Sequence, residues 1–273
     1  MRIGIFDSGL GGLIIARAIV KKMPEYDYVY LGDTKRVPYG NRSHETVFEF
    51  TKEAVDYLFK KENCAIVIVA CNTASARALR KIQQEYLPKI FPKDKFQRKV
   101  LGVLIPAAEE CVKYKKVGVL ATQGTVASDT FPMEINKLNS KIKVIQNSAP
   151  MLVPLAEEGE AKLALPFIQK YLKPILDKNT EAIVLGCTHY PIFKKQIKLT
   201  LRSLGVEGKI ISQDEIVPKK LKDYFLRHPE VAKNLSRKHT TKILVTDMTK
   251  NIQKLSEKWF GKNIKPKLII LNS

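Results

Sequence analysis

Two stretches of this 273-residue chain deliver reactive side chains to places where a fold would use them. In Ala182-Ile183-Val184-Leu185-Gly186-Cys187-Thr188-His189-Tyr190-Pro191, a buried-looking strand runs out into a thiol, a hydroxyl and an imidazole. Pro191 then ends the ladder. Ala65-Ile66-Val67-Ile68-Val69-Ala70-Cys71-Asn72-Thr73 has the same form, with its cysteine 116 positions earlier. Open α/β sheets bind ligands just beyond the carboxyl ends of their strands, and both cysteines fall there. Two thiols on opposite faces of a bound carbon suit inversion of a stereocentre, because one removes a proton and the other returns one to the opposite face. A Cys187-His189 nucleophile of the hydrolase or transferase kind is the other reading. It needs one thiol only and leaves Cys71 without a use.

The residues around the thiols differ between the two stretches. Asp7 ends the first strand of the chain, and His189 follows Cys187 by two positions where the other stretch has Thr73. Unlike helpers on the two sides suit a chiral substrate. Gly9-Leu10-Gly11-Gly12 matches neither a dinucleotide fingerprint nor a P-loop, but a glycine-rich turn opening a helix is a good anion cradle. Asn72, Thr73 and Thr188 add neutral donors, and Tyr39-Gly40 forms a loop wall. Cys64 and Cys111 read as small buried apolar residues, and His44, His228 and His239 as surface or structural. No lysine stands at a strand end for a Schiff base, and the four cysteines have no metal-ligand spacing, so no cofactor or metal is expected.

The elements that must position these groups alternate. Strands are expected at Arg2 to Phe6, Tyr28 to Leu31, the Cys71 stretch, Val100 to Leu104, Lys116 to Ala121, the Cys187 stretch, Lys209 to Ser212, Lys242 to Thr246 and Lys267 to Leu271. Helices are expected from the glycine turn to Lys22, from Ser43 to Glu62, and over Ala74 to Tyr86, Pro106 to Tyr114, Lys162 to Leu176, Glu215 to Arg227 and Thr249 to Phe260. Ile3-Gly4-Ile5-Phe6 matches Val117-Gly118-Val119-Leu120 at an offset of 114, close to the 116 of the cysteines, which points to an internal duplication. The βαβ alternation implies parallel sheets. The expected architecture is α/β: two similar doubly wound parallel-sheet domains related by a pseudo-twofold, with the active site between them. Residues 1–98 plus 210–273 would form the Cys71 side and residues 99–209 the Cys187 side, the charged connection Lys89 to Lys99 marking one boundary.

Composition bounds the setting. No apolar run approaches the ~20 residues of a membrane span, and Asp7 interrupts the only apolar run near the start, so no secretory signal is expected and the location is read as cytoplasmic. Free thiols fit that location. With 47 Lys and Arg against 27 Asp and Glu, the formal charge is +20. A polyanion partner is the alternative this raises, although no nucleic-acid motif accompanies the charge.

The motifs resemble those of the glutamate racemases of the aspartate/glutamate racemase superfamily. The matching residues are Gly4 to Gly12, Gly32-Asp33-Thr34 with Pro38-Tyr39-Gly40, Ala70 to Ser75, Ala121-Thr122 through Thr125, Val153 to Gly159, and Gly186 to Pro191. The resemblance implies cofactor-independent interconversion of L- and D-glutamate, which supplies D-glutamate for peptidoglycan. Carried over by motif, Cys71 would take the α-proton of D-glutamate and Cys187 that of L-glutamate. Asp7 would assist Cys71, while His189 and Glu157 would assist Cys187. Substrate would be held by Asp7, Ser8, Tyr39, Gly40, Asn72, Thr73, Thr122, Thr125, Thr188 and His189. A homodimer is expected, another acidic amino acid such as aspartate is the alternative substrate, and a regulatory contact with nucleic acid or DNA gyrase is an alternative that no motif supports. The chain departs from the family pattern at Ser148-Ala149-Pro150, where a cysteine is common, and at Gln213-Asp214-Glu215, where smaller residues are.

Overall fold

The computed structural model describes residues 1–94, 98–262 and 264–271. Part of the expected boundary connection at 89–99, and the last two residues of the expected first domain, lie outside them. The strands are β1 (Arg2–Asp7), β2 (Tyr28–Gly32), β3 (Cys64–Val69), β4 (Lys99–Gly102), β5 (Lys116–Ala121), β6 (Lys143–Ser148), β7 (Ala182–Gly186), β8 (Lys209–Ser212), β9 (Thr241–Val245) and β10 (Lys267–Leu268). They form two sheets in the orders β10-β9-β2-β1-β3-β4 and β6-β5-β7-β8, and every described pairing is parallel.

The order β2-β1-β3-β4 repeats as β6-β5-β7-β8, and the register repeats with it. Ile3 lies opposite Tyr28 and Ile66, and its counterpart Val117 lies opposite Val144 and Ala182. Ile66 then pairs with Lys99, and Ala182 with Lys209. The two halves are thus one four-stranded unit used twice, and β9 and β10 extend the first copy only.

Strands buried on both faces read as unbroken apolar runs, and β1, β3 and β7 do so. Ile3, Ile5, Ile66 and Ile68 pack on the helices Gly12–Lys22 and Gln213–Arg227. Phe6, Val67 and Val69 pack on the other side, against the helix His44–Lys60. In the second sheet Leu120, Ile183 and Leu185 meet the helices Ala164–Leu176 and Lys194–Ser203, while Val117, Val119 and Val184 meet Leu104–Cys111 and Thr130–Leu138.

Two strands sit in the other sheet from the one expected. The strand at 99–102, read as the start of the second domain, pairs with β3 and ends the first sheet; 209–212, read as leading back to the first, pairs with β7. Each copy needs its fourth strand to cover the edge beside its cysteine strand, so the chain crosses over only after Gly102 and after Ser212. The helix expected at Ala74 to Tyr86 starts earlier and is broken, running as Asn72–Arg77, Leu79–Lys81, a π turn over Ile82–Tyr86 and Leu87–Ile90. It starts early because Cys71 itself caps it. Strand β6 went unread because Lys143-Val144-Ile145-Gln146-Asn147-Ser148 is a half-exposed edge strand without a continuous apolar run.

Candidate active site

The carboxyl ends of β1, β3, β5 and β7 converge on a cavity of about 470 Å³ lined by both cysteines. Ser8, Tyr39, Gly40, Asn72, Thr73, Thr122, Glu157, Thr188 and His189 also line it. Of the residues expected at the site, Asp7 and Thr125 lie in the layer beneath the lining, 1% and 0% exposed.

Cys71 ends its strand in extended backbone and caps the helix Asn72–Arg77, its sulfur accepting from the Ala74 N–H at 3.4 Å. The Ser8 hydroxyl donates to the same sulfur at 3.3 Å. Burial pushes the thiol up to about 12, and the Asp7 carboxylate and Cys187 add to the rise against the opposing Ser8 and Ala74 donors. At neutral pH it therefore rests as a thiol, whose thiolate would be a strong base.

Cys187 has a different neighbour. His189 Nδ1 lies 3.8 Å from its sulfur, and Nε2 lies 3.1 Å from Glu157 Oε1. Burial opposes charge on His189, but the bonds to Cys187 and Glu157 outweigh it and push the imidazole up to about 10. The imidazole is thus held charged between a sulfur and a carboxylate.

Asp7 lies near both cysteine walls, influencing Cys71 and His189 alike. Its Oδ2 accepts from the Gly9 N–H at 3.0 Å. Burial raises its carboxyl above the ordinary range, against the opposing influence of His189, the Gly9 and Gly12 N–H groups and the Thr188 hydroxyl. Expected as the partner of Cys71 alone, it also faces His189. The glycine turn makes this possible: a Cβ at Gly12 would lie 2.5 Å from that of Asp7, and one at Gly11 would lie 2.5 Å from Thr188 Oγ1 and 2.6 Å from His189 Cε1.

The walls meet through hydroxyls. Thr122 caps the helix Gln123–Ala127, and its Oγ1 lies 2.9 Å from Thr73 Oγ1 and 3.0 Å from Thr125 Oγ1. Three hydroxyls from both halves thus form a donor cluster suited to a carboxylate. Two further residues hold the lining in place. Asp33, fully buried, accepts from Tyr39 Oη at 2.5 Å, Arg36 Nε at 2.6 Å and Thr246 Oγ1 at 2.8 Å, which anchors the Tyr39-Gly40 loop. Gln213 exchanges two 2.7 Å bonds with the Asn72 amide while donating to Val103 O at 3.2 Å.

The family model described as Asp/Glu/Hydantoin racemase matches residues 14–208. A glutamate racemase of Aquifex aeolicus (strain VF5) is 36% identical, covering 98% of this chain and 97% of its own. The chain belongs to the glutamate racemase family. Among solved structures, the glutamate racemase of Francisella tularensis in complex with D-glutamate superposes with a TM-score of 0.85 at 29% identity, over 99% of this chain and 98% of that one. That of Aquifex pyrophilus gives 0.78 at 33% identity, over 98% of both. Among the described residues, no helix is long and apolar enough to cross a membrane.

Reading the sequence missed two functional neighbours. Asp33 stood in a quoted motif without a role, and its isolation as a buried-type acid at a strand end was the available signal. Trp259, whose ring centroid lies 5.4 Å from that of His189, carried no local signal beyond being the single tryptophan.

Proposed function

We propose that this chain interconverts L- and D-glutamate in the cavity between its two sheets, by two thiols and without a cofactor. The observation that carries the reading is the placing of Cys71 and Cys187 at equivalent positions of a duplicated unit, both lining one cavity. Substrate carboxylates meet the hydroxyls of Thr73 and Thr122, which Thr125 orients from beneath, and the Gly-rich turn, with Ser8, Tyr39, Gly40, Asn72 and Thr188 completing the donor set. Cys71, assisted by Asp7, removes the α-proton of D-glutamate. The resulting planar carbanion takes a proton from Cys187 on its opposite face, and L-glutamate reacts in reverse through Cys187, His189 and Glu157. The division proposed with this reading is a Cys71 unit of residues 1–102 with 213–273 and a Cys187 unit of residues 103–212, supported by the pairing of β4 with β3 and of β8 with β7. Family membership supports a role in supplying D-glutamate to peptidoglycan, in the cytoplasm and as a homodimer.

Racemisation assayed on glutamate against aspartate, with no cofactor added and in deuterated water, tests the reading. Glutamate turnover with α-deuterium incorporation is expected, and Cys71→Ser and Cys187→Ser should each abolish it. Near-wild-type turnover in either variant would refute the two-base mechanism. Covalent acylation of Cys187 would favour the hydrolase reading instead.

A further inference from the structure

His189 can reach Cys187 through Nδ1 and Glu157 through Nε2 only in one ring plane, since rotation about its Cβ–Cγ bond breaks both contacts. The protein fixes that plane from the first half of the molecule. The Gly11 backbone closes on the Cε1 edge. The indole of Trp259 stands at 86° to the imidazole, with centroids 5.4 Å apart. Trp259 ends the helix Lys250–Trp259, whose Leu255 and Trp259 pack into the apolar cluster shared with the helix Gly12–Lys22. The neighbouring Lys258 ammonium lies 3.2 Å from where a Cβ on Gly159 would stand, at the end of the helix Leu152–Glu158 that carries Glu157. One short segment between β9 and β10, with no counterpart among the described strands of the second sheet, thus meets His189 directly and the end of the helix that carries Glu157.

We propose that Trp259 is a positioning residue for the Cys187 wall: its indole holds the His189 ring between Cys187 and Glu157, and so sets the reactivity of one thiol and not the other. The charged and titratable groups facing His189 are Cys187 on its own loop, Glu157 on the helix Leu152–Glu158 and Asp7 on β1, with Lys258 beside Gly159 at the end of that helix. The proposal rests on reading Cys187 as a catalytic base.

The test compares wild type, Trp259→Phe and Trp259→Leu by alkylation with iodoacetamide across pH, with the yield at each cysteine read by mass spectrometry. Leu keeps apolar volume without a ring, and Phe keeps a ring. At neutral pH, Trp259→Leu should slow alkylation of Cys187 about fivefold, the size of one edge-to-face aromatic contact, with Cys71 unchanged and Trp259→Phe close to wild type. Alkylation reports the thiol directly, so a chain that failed to racemise glutamate would still give this result. Equal slowing at both cysteines, or no change at Cys187, would overturn the proposal. A second measurement needs no Trp259 variant. Because Trp259 is the single tryptophan, wild-type emission should be quenched as His189 charges, with a midpoint that disappears in His189→Gln. Emission identical in the two proteins across pH would equally overturn it.

Discussion

Adding one methyl group at Gly11 separates backbone preference from close packing. Gly11 has φ −57° and ψ −34°, ordinary right-handed helical backbone, so alanine is conformationally welcome there. By restricting the unfolded chain, Gly→Ala would stabilise by about 0.4–1 kcal/mol. Against this, the new Cβ would lie 2.5 Å from Thr188 Oγ1 and 2.6 Å from both Cε1 and Nδ1 of His189. These atoms belong to buried side chains, and overpacking of this kind costs about 1–3 kcal/mol. The second effect wins, and a net destabilisation of about 1–2 kcal/mol is expected. His189 can yield only by leaving Cys187 or Glu157, and a misplacement of about 1 Å in a catalytic group costs roughly 100-fold in rate. Urea unfolding and initial racemisation rates measure the two consequences. A Gly11→Ala protein at least as stable as wild type, with undiminished turnover, would refute the reasoning.

Other perturbations follow from the same contacts. Asp33→Ala leaves Arg36 Nε and the Tyr39 phenol without their acceptor, Arg36 keeping only Glu53; it should destabilise by about 2–3 kcal/mol and raise KM for both enantiomers, whereas Asp33→Asn should do less of both. Gln213→Met strips partners from both ends of the Asn72 amide and from Val103 O, which should cost about 3 kcal/mol in urea unfolding; a loss below about 1 kcal/mol would mean that the amide pair is replaced by water. For His189 the folded pKa lies above the unfolded value, so the folded state binds the extra proton. Its contribution is complete below about 6.5 and declines as pH rises to about 10. Unfolding free energy should therefore fall more steeply with pH across that window in wild type than in His189→Gln, and parallel curves would contradict the assignment.

What could be read from the sequence was local or periodic. Ile66 to Val69 and Ile183 to Leu185 announce strands buried on both faces, and the residues that follow such strands occupy the ligand-binding end by the geometry of the fold. Cys71, Cys187, Thr188 and His189 were legible for that reason, and the offset of 114 to 116 positions gave the duplication. What could not be read depends on partners distant in the chain. Asp33 is held to Thr246, 213 positions away, and Asn72 to Gln213, 141 positions away. Trp259 meets His189 only because the helix bearing it folds back over the first half. The edge strands were misplaced or missed because Lys99–Gly102 and Lys209–Ser212 are too short to declare which sheet they join.

The repeated unit and the unequal chemistry are connected. Identical strand order and register place the two cysteines alike, so any difference between them must come from what each copy adds. Cys71 receives a hydroxyl and a backbone N–H, and burial holds its proton on. Cys187 receives an imidazole braced by Glu157 and by the segment between β9 and β10 that only the first copy carries. Two unlike bases are compatible with a racemisation, because enantiomers have equal free energy and the ratio of kcat/KM in the two directions is fixed at unity whatever the bases are. The asymmetry must therefore appear elsewhere: in kcat and KM separately, and in which enantiomer, deuterated at Cα, shows the larger isotope effect. Weakening the Cys187 wall should enlarge the effect for L-glutamate and shrink it for D-glutamate, since only the proton transfer at that thiol becomes slower.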